Sequence, residues 1–141
     1  MPRRIALVLA ALLFVPACAP HAPRVPFVAD LDRFLAEHPI PPDRELSAEE
    51  IGRTASASYH IVQVRGRETP HRHATHDLSV VLLRGRGVLT RGDERIALAA
   101  GDAAVVPRGE PHWFANGGRG AAVALVAFAP PLDAPDSVPV R

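Results

Sequence analysis

From residue 58 to residue 128 the chain runs as short β-rich stretches separated by turn residues, with no long helical pattern between them. Residues 59–64 are rich in β-branched and aromatic side chains, and 78–83 is an apolar run bounded by Asp77 and by Gly85 and Gly87. Residues 88–90 and 95–98 flank Arg91-Gly92-Asp93-Glu94, which has the composition of a hairpin turn. Residues 103–106, 112–115 and 121–128 complete the series, with Asn116-Gly117-Gly118 supplying another turn. Short strands at this spacing bury their apolar faces as a sandwich or barrel. At 141 residues, 48% of them hydrophobic, the chain has material for one core plus short accessory segments.

The histidines give that barrel a chemistry. His71 and His73 are two apart, so on a strand they share a face. His112 arrives from a later stretch introduced by Gly101, Pro107 and Gly109. Three imidazoles converging in a small barrel suit a divalent Fe, Zn, Ni or Cu ion, and an added carboxylate would favour Fe or Mn. The stretch reads Gly101, five residues, Pro107, one residue, Gly109, two residues, His112, three residues, Asn116. In that order and spacing it resembles the second motif of the cupin family, and His71-x-His73 followed by Gly85 and Gly87 resembles part of the first. The resemblance implies an all-β fold, a cupin double-stranded β-helix (a jelly-roll-like barrel), over residues 55–130. It also implies a metal-dependent activity, dioxygenase- or isomerase-like, on a small molecule. A non-catalytic module that binds a metal or small ligand is the alternative, and a homodimer would be usual for such folds.

The first motif departs from the family pattern where a glutamate normally follows His-x-His and supplies the fourth ligand. A three-residue gap lands on Asp77 and a four-residue gap on Leu78. Counting back from Gly85 puts Leu78 in the glutamate position, whereas alternation from His71 and His73 keeps Asp77 inward. Asp77 and the neighbouring His76 are therefore both candidate replacements. The same alternation turns Ser79, Val81 and Val106 inward, where small side chains leave room for a ligand, and makes Asp77 the evident inward acid. Arg72 points outward as a solvated charge. Phe114 shares the His112 face while Trp113 takes the other, and Asn116 serves a turn. His60 and Gln63 lie on opposite faces of an early strand, and neither is assigned a role.

The ends of the chain read differently. Arg3 and Arg4 precede an apolar run over 5–15, which has the form of a signal peptide over residues 1–17. Val15-Pro16-Ala17-Cys18 resembles a lipobox, with Cys18 as the lipidated mature N-terminus; a general signal-peptidase site or an uncleaved anchor are the alternatives. This pattern implies an exported envelope lipoprotein, or otherwise a periplasmic or secreted one, touching membrane only through a lipid anchor. Cys18 is the single cysteine, so no intramolecular disulfide is available. Residues 18–54 read as a Pro-rich tether and a short helical segment. Within it, 28–37 has amphipathic spacing up to Pro39, and Ser47-Ala48-Glu49-Glu50 has capping-box spacing for a helical turn over 47–52. Residues 131–141 form a Pro-rich tail. Removing 1–17 takes two arginines and no acid, leaving 14 basic and 15 acidic residues scattered along the chain. That balance offers no stripe for nucleic acid, and no nucleophile-and-base pair or phosphate-cradling loop is visible.

Overall fold

The computed structural model describes residues 30–140. The signal peptide, Cys18 and the tether up to residue 29 lie outside the described residues. Helix α1 (Leu31–Glu37) starts from Asp30, whose carboxylate accepts the Arg33 N–H at 3.0 Å, and it stops at His38, before Pro39. Ten strands follow: β1 (Leu46–Arg53), β2 (Ser58–Val64), β3 (His71–His73), β4 (Asp77–Arg84), β5 (Arg86–Arg91), β6 (Glu94–Ala99), β7 (Ala103–Val106), β8 (His112–Asn116), β9 (Ala122–Ala129) and β10 (Ser137–Pro139). They form two five-stranded antiparallel sheets, ordered β1-β2-β9-β4-β7 and β10-β3-β8-β5-β6.

The core lies between the sheets. Alternate residues of β4 (Leu78, Val80 and Leu82) meet Val126 and Phe128 of β9, while Leu89, Leu98 and Phe114 come from the opposite sheet. Each such leucine, 2% exposed in the case of Leu82, contributes roughly 2 kcal/mol by leaving water. Two glycines of the second motif hold turns that aim the site. Gly101 (φ 99°) and Gly109 (φ 80°) occupy the left-handed region, where a Cβ would be strained. The Gly101 N–H donates to Leu82 O at 2.8 Å, and the Gly109 N–H donates to His73 O at 2.7 Å. The second bond ties one motif to the other.

Three expectations are corrected. Residues 47–52 are strand, not a helical turn: β1 pairs with β2 from Leu46↔Val64 to Arg53↔Ser58, with a register shift between Glu50 and Gly52. A one-turn helix has little stability of its own, whereas an edge strand gains a ladder and packs Leu46 on the core. The Pro-rich tail contributes β10, which pairs with β3 (Ser137↔His73, Pro139↔His71). The sheets therefore run from residue 46 to residue 139, beyond 55–130 at both ends. Finally, Leu78, Val80 and Leu82 face inward and Ser79 faces out, the reverse of the expected parity; Val106 does line the interior. The cause is the turn at 74–76, where the chain leaves one sheet for the other, so alternation in β3 does not carry into β4.

Candidate metal centre

β3 and β8 lie side by side, with His71 directly opposite His112. His73, two residues along β3, completes the group: the candidate ligand nitrogens of His71, His73 and His112 all lie within 4.8 Å of one another. Ring centroids are 4.4 Å apart for His71 and His112, 5.1 Å for His71 and His73, and 5.4 Å for His73 and His112. Phe128 sets its edge against His73 at 5.2 Å. His73 and His112 are buried, and His71 is half-buried.

Each of the three rings has one nitrogen engaged and the other left over. His71 Nδ1 is 2.8 Å from Thr69 O, His112 Nδ1 is 3.0 Å from Glu110 O, and His73 Nδ1 is 2.6 Å from Asp136 Oδ1. Carbonyl and carboxylate oxygens only accept, so these partners place a proton on Nδ1 of each ring. All three Nε2 lone pairs are thereby free. Two of the acceptors are the backbone carbonyl two residues upstream of the histidine, a local consequence of strand entry. The third comes from the C-terminal segment.

Burial favours the neutral form of His73 and His112. Burial pushes His112 down to about 4, against the Glu110 carbonyl and with help from His71 and His73. Burial also lowers His73, outweighing the pull of Asp136. Burial would raise Asp136, but hydrogen bonds from His76, His73 and Thr75 hold its carboxyl well below the usual range. At neutral pH the pair is therefore a neutral His73 donating to an ionised Asp136, the arrangement by which a carboxylate orients a metal-binding imidazole. Three imidazoles whose candidate ligand nitrogens lie within 4.8 Å of one another form a donor set suited to a divalent metal of unspecified identity.

The histidines line a cavity of about 90 Å³ between the sheets. Glu68 is the other polar residue in its wall, and every remaining lining residue is apolar. Glu68 Oε2 accepts the Phe114 N–H at 2.7 Å, and the Glu68 N–H donates to Phe114 O at 2.9 Å. Burial raises its carboxyl, against the Phe114 hydrogen bond and the nearby His71.

Asp77 and His76 do not join the three histidines. Asp77 accepts the Arg108 backbone N–H at 2.9 Å and pairs with its guanidinium at 2.6 Å, and these bonds hold its carboxyl down to about 2. Leu78 takes the inward position, so the count back from Gly85 is the one that holds. His76 is buried, but its Nδ1 lies 2.5 Å from Asp136 Oδ2 and its Nε2 lies 3.3 Å from Pro131 O. Both nitrogens serve the C-terminal segment. Arg72 is exposed, Phe114 lines the cavity, and Trp113 stacks with Arg67 on the outer face at 5.4 Å. Asn116 caps its turn through Gly118 N and Gly120 O. His60 bonds Ser58 Oγ at 2.9 Å, and Gln63 donates to His38 O at 2.7 Å.

The two five-stranded sheets that carry the histidines have counterparts in known proteins. The family profile described as Cupin domain matches residues 58–128. The chain belongs to the cupin family. An uncharacterised protein of Aquifex aeolicus (strain VF5) is 38% identical over 104 residues, spanning 70% of this cupin and 85% of the relative. Among solved structures, TT1209 from Thermus thermophilus superposes with a TM-score of 0.63 at 27% identity, covering 74% of this cupin and 97% of that chain. KdgF from Halomonas sp. gives 0.59 at 23%, covering 67% and 90%; Pac13, a nucleoside dehydratase related to Streptomyces structures with uridine, gives 0.58 at 20%, covering 69% and 79%. These last two share the fold.

Among the described residues no helix is long and apolar enough to cross a membrane. Sequence reasoning missed Asp136 and Glu68. Glu68 stands three residues before His71, on the side opposite to where the family pattern directs attention, and nothing local marks Asp136 within its Pro-rich tail.

Proposed function

We propose that His71, His73 and His112 hold a divalent transition metal, and that this cupin is a metal-dependent enzyme acting on a small molecule in the cavity beside it. The observation that carries this reading is the engagement of all three Nδ1 atoms by oxygen acceptors, which leaves the three Nε2 atoms for a metal in a group whose candidate ligand nitrogens lie within 4.8 Å of one another. A chain keeping histidines only as a polar cluster would satisfy them with one another. Bound there, a divalent metal would supply Lewis-acid or O₂-activating chemistry of the dioxygenase or isomerase type. The protein supplies orientation of the rings, an apolar wall that excludes water, and one half-buried carboxyl. An engineered apolar cavity of about 150 Å³ accepts benzene, so the 90 Å³ here fits a molecule of a few heavy atoms or the reacting end of a larger one.

The small volume also favours a second reading, a non-catalytic module that captures the metal itself, because ligand pockets usually start near roughly 300 Å³. We propose further that the chain is an exported lipoprotein anchored at Cys18, supported by the basic and apolar leader and the Val15-Pro16-Ala17-Cys18 sequence.

Elemental analysis of the chain, purified without a metal-binding tag, tests the centre. Near-stoichiometric metal that is lost in the His71→Ala/His73→Ala double variant is expected. Equal metal in both forms, or none in either after reconstitution, overturns the reading. A metal-loaded chain that turns over no candidate small molecule while binding metal tightly moves the assignment to the capture module. Cys18→Ser should release the protein from membranes, and unchanged retention would sink the anchor.

A further inference from the structure

The cavity holds one carboxyl that the three-histidine reading leaves unused. Among the described residues, Glu68 is the only acid in the cavity wall, and it shares that wall with all three histidines. Its carboxyl is fixed at one oxygen only. Oε2 accepts the Phe114 N–H at 2.7 Å, while Oε1 takes no hydrogen bond among the described residues. The Glu68 N–H bonds to Phe114 O at 2.9 Å, so backbone and side chain together clamp the residue to β8, two positions beyond His112. Glu68 is therefore held in place, with one oxygen unbonded among the described residues, in a wall that is otherwise apolar except for imidazole.

Two structural roles compete with a chemical one. A half-buried carboxyl can serve merely to satisfy the Phe114 N–H, but a glutamine or serine would do so without the cost of partly enclosing an ionisable group. It can also be a fourth ligand, but its oxygens are not in the group whose donor atoms all lie within 4.8 Å of one another. Asp77, the acid that sequence alternation favoured, is committed to Arg108 outside the cavity.

Resting on the metal reading above, we propose that Glu68 is the proton-transfer residue of this cavity, and that the molecule bound beside the histidines carries a weakly acidic O–H, N–H or activated C–H. In the step, the bond from that hydrogen to its oxygen, nitrogen or carbon breaks and its electron pair stays on the molecule. The proton goes to Glu68 Oε1, and the resulting anion is neutralised by the adjacent cation. Proton return from Oε1 to another atom of the same molecule completes an isomerisation with no external oxidant or reductant. A divalent cation on the three histidines also favours the ionised form of a neighbouring carboxyl, preparing it to accept.

The test uses the full chain loaded with Zn(II) alone and acetohydroxamic acid as a weakly acidic probe that is neutral at pH 7. Calorimetric titration in buffers of different ionisation enthalpy counts the protons released as the acid binds. The wild-type protein should release well under one proton per acid bound, because Glu68 takes it. Glu68→Gln keeps an acceptor for the Phe114 N–H; it should bind zinc equally, release close to one proton and bind the acid at least 10-fold more weakly. An unchanged proton count and affinity in that variant overturns the proposal, as does loss of zinc, which would make Glu68 a ligand. If the variant does not fold, the wild-type count decides: release of a full proton overturns the assignment, as does failure to bind the acid at millimolar concentration. A wild-type chain that takes up no zinc or other divalent metal overturns the metal reading instead, and this proposal with it.

Discussion

His73 Nδ1 lies 2.6 Å from Asp136 Oδ1, across a sequence separation of 63 residues. The other oxygen of the same carboxylate takes His76 Nδ1 at 2.5 Å, Thr75 N at 3.1 Å and Thr75 Oγ1 at 3.0 Å. One acid thus fixes the tautomer of a candidate ligand and the turn that follows it. Asp136→Ala should weaken metal binding by roughly 10- to 100-fold, as loss of such outer partners typically does. Competition titration against a chelator measures this; wild-type affinity in the variant would show that the ring orients itself.

Loss of an imidazole should cost more than loss of either residue that only neighbours the group. His112→Ala should lower metal affinity at least 10-fold, in line with the cost of removing even a supporting partner, whereas Asp77→Ala should leave it unchanged. Metal content after dialysis distinguishes them, and depletion in the Asp77 variant would restore that residue as a ligand.

Asp77 should show itself in acid instead. Its folded value of about 2 lies below the ordinary 3.8, so its contribution is present above roughly pH 4 and disappears as pH falls through about 2. Acid unfolding of Asp77→Asn should lose that dependence relative to wild type. Superimposable acid limbs for the two proteins would refute the assignment.

His112 has the same direction of pH dependence by a different route. Its folded value of about 4 lies below the ordinary 6.5, so the metal-free folded state binds fewer protons than the unfolded chain between them. The His112 contribution is fully present above pH 6.5 and is lost as pH drops towards 4, on the order of 2 kcal/mol after allowance for solvent screening. His112→Gln should flatten the curve of urea midpoint against pH in this window. An unchanged slope would mean that another group governs it.

Gly87 is held by packing. A Cβ there would run into the Phe114 ring and the Ala115 carbonyl oxygen. Gly87→Ala should cost roughly 1–3 kcal/mol, read as a lower urea midpoint with unchanged slope. Wild-type stability would show that β5 and β8 can separate without penalty.

What the sequence discloses follows from the range of the forces involved. Turns and strand periods are local, so β4 to β9 are recognisable from residues such as Gly92, Gly101 and Pro107, and His71, His73 and His112 fall where their spacing directs them. Parity fails at Asp77 because a sheet change at 74–76 resets alternation, and only the ruler anchored at Gly85, within reach of the same strand, survives. The capping-box spacing at Ser47 is real but weak beside a full antiparallel partner in β2. Asp136 and Glu68 act through contacts that depend on where distant strands meet. A Pro-rich tail gives no period to signal β10, and Glu68 precedes His71 where a family-based search looks after it.

The pairing of β10 with β3 sets an order of events. Asp136 and β10 are translated after all three histidines, so a nascent chain with His71, His73 and His112 already extruded still lacks the clamp on His73. Tight metal loading must then await synthesis of the segment through Pro139.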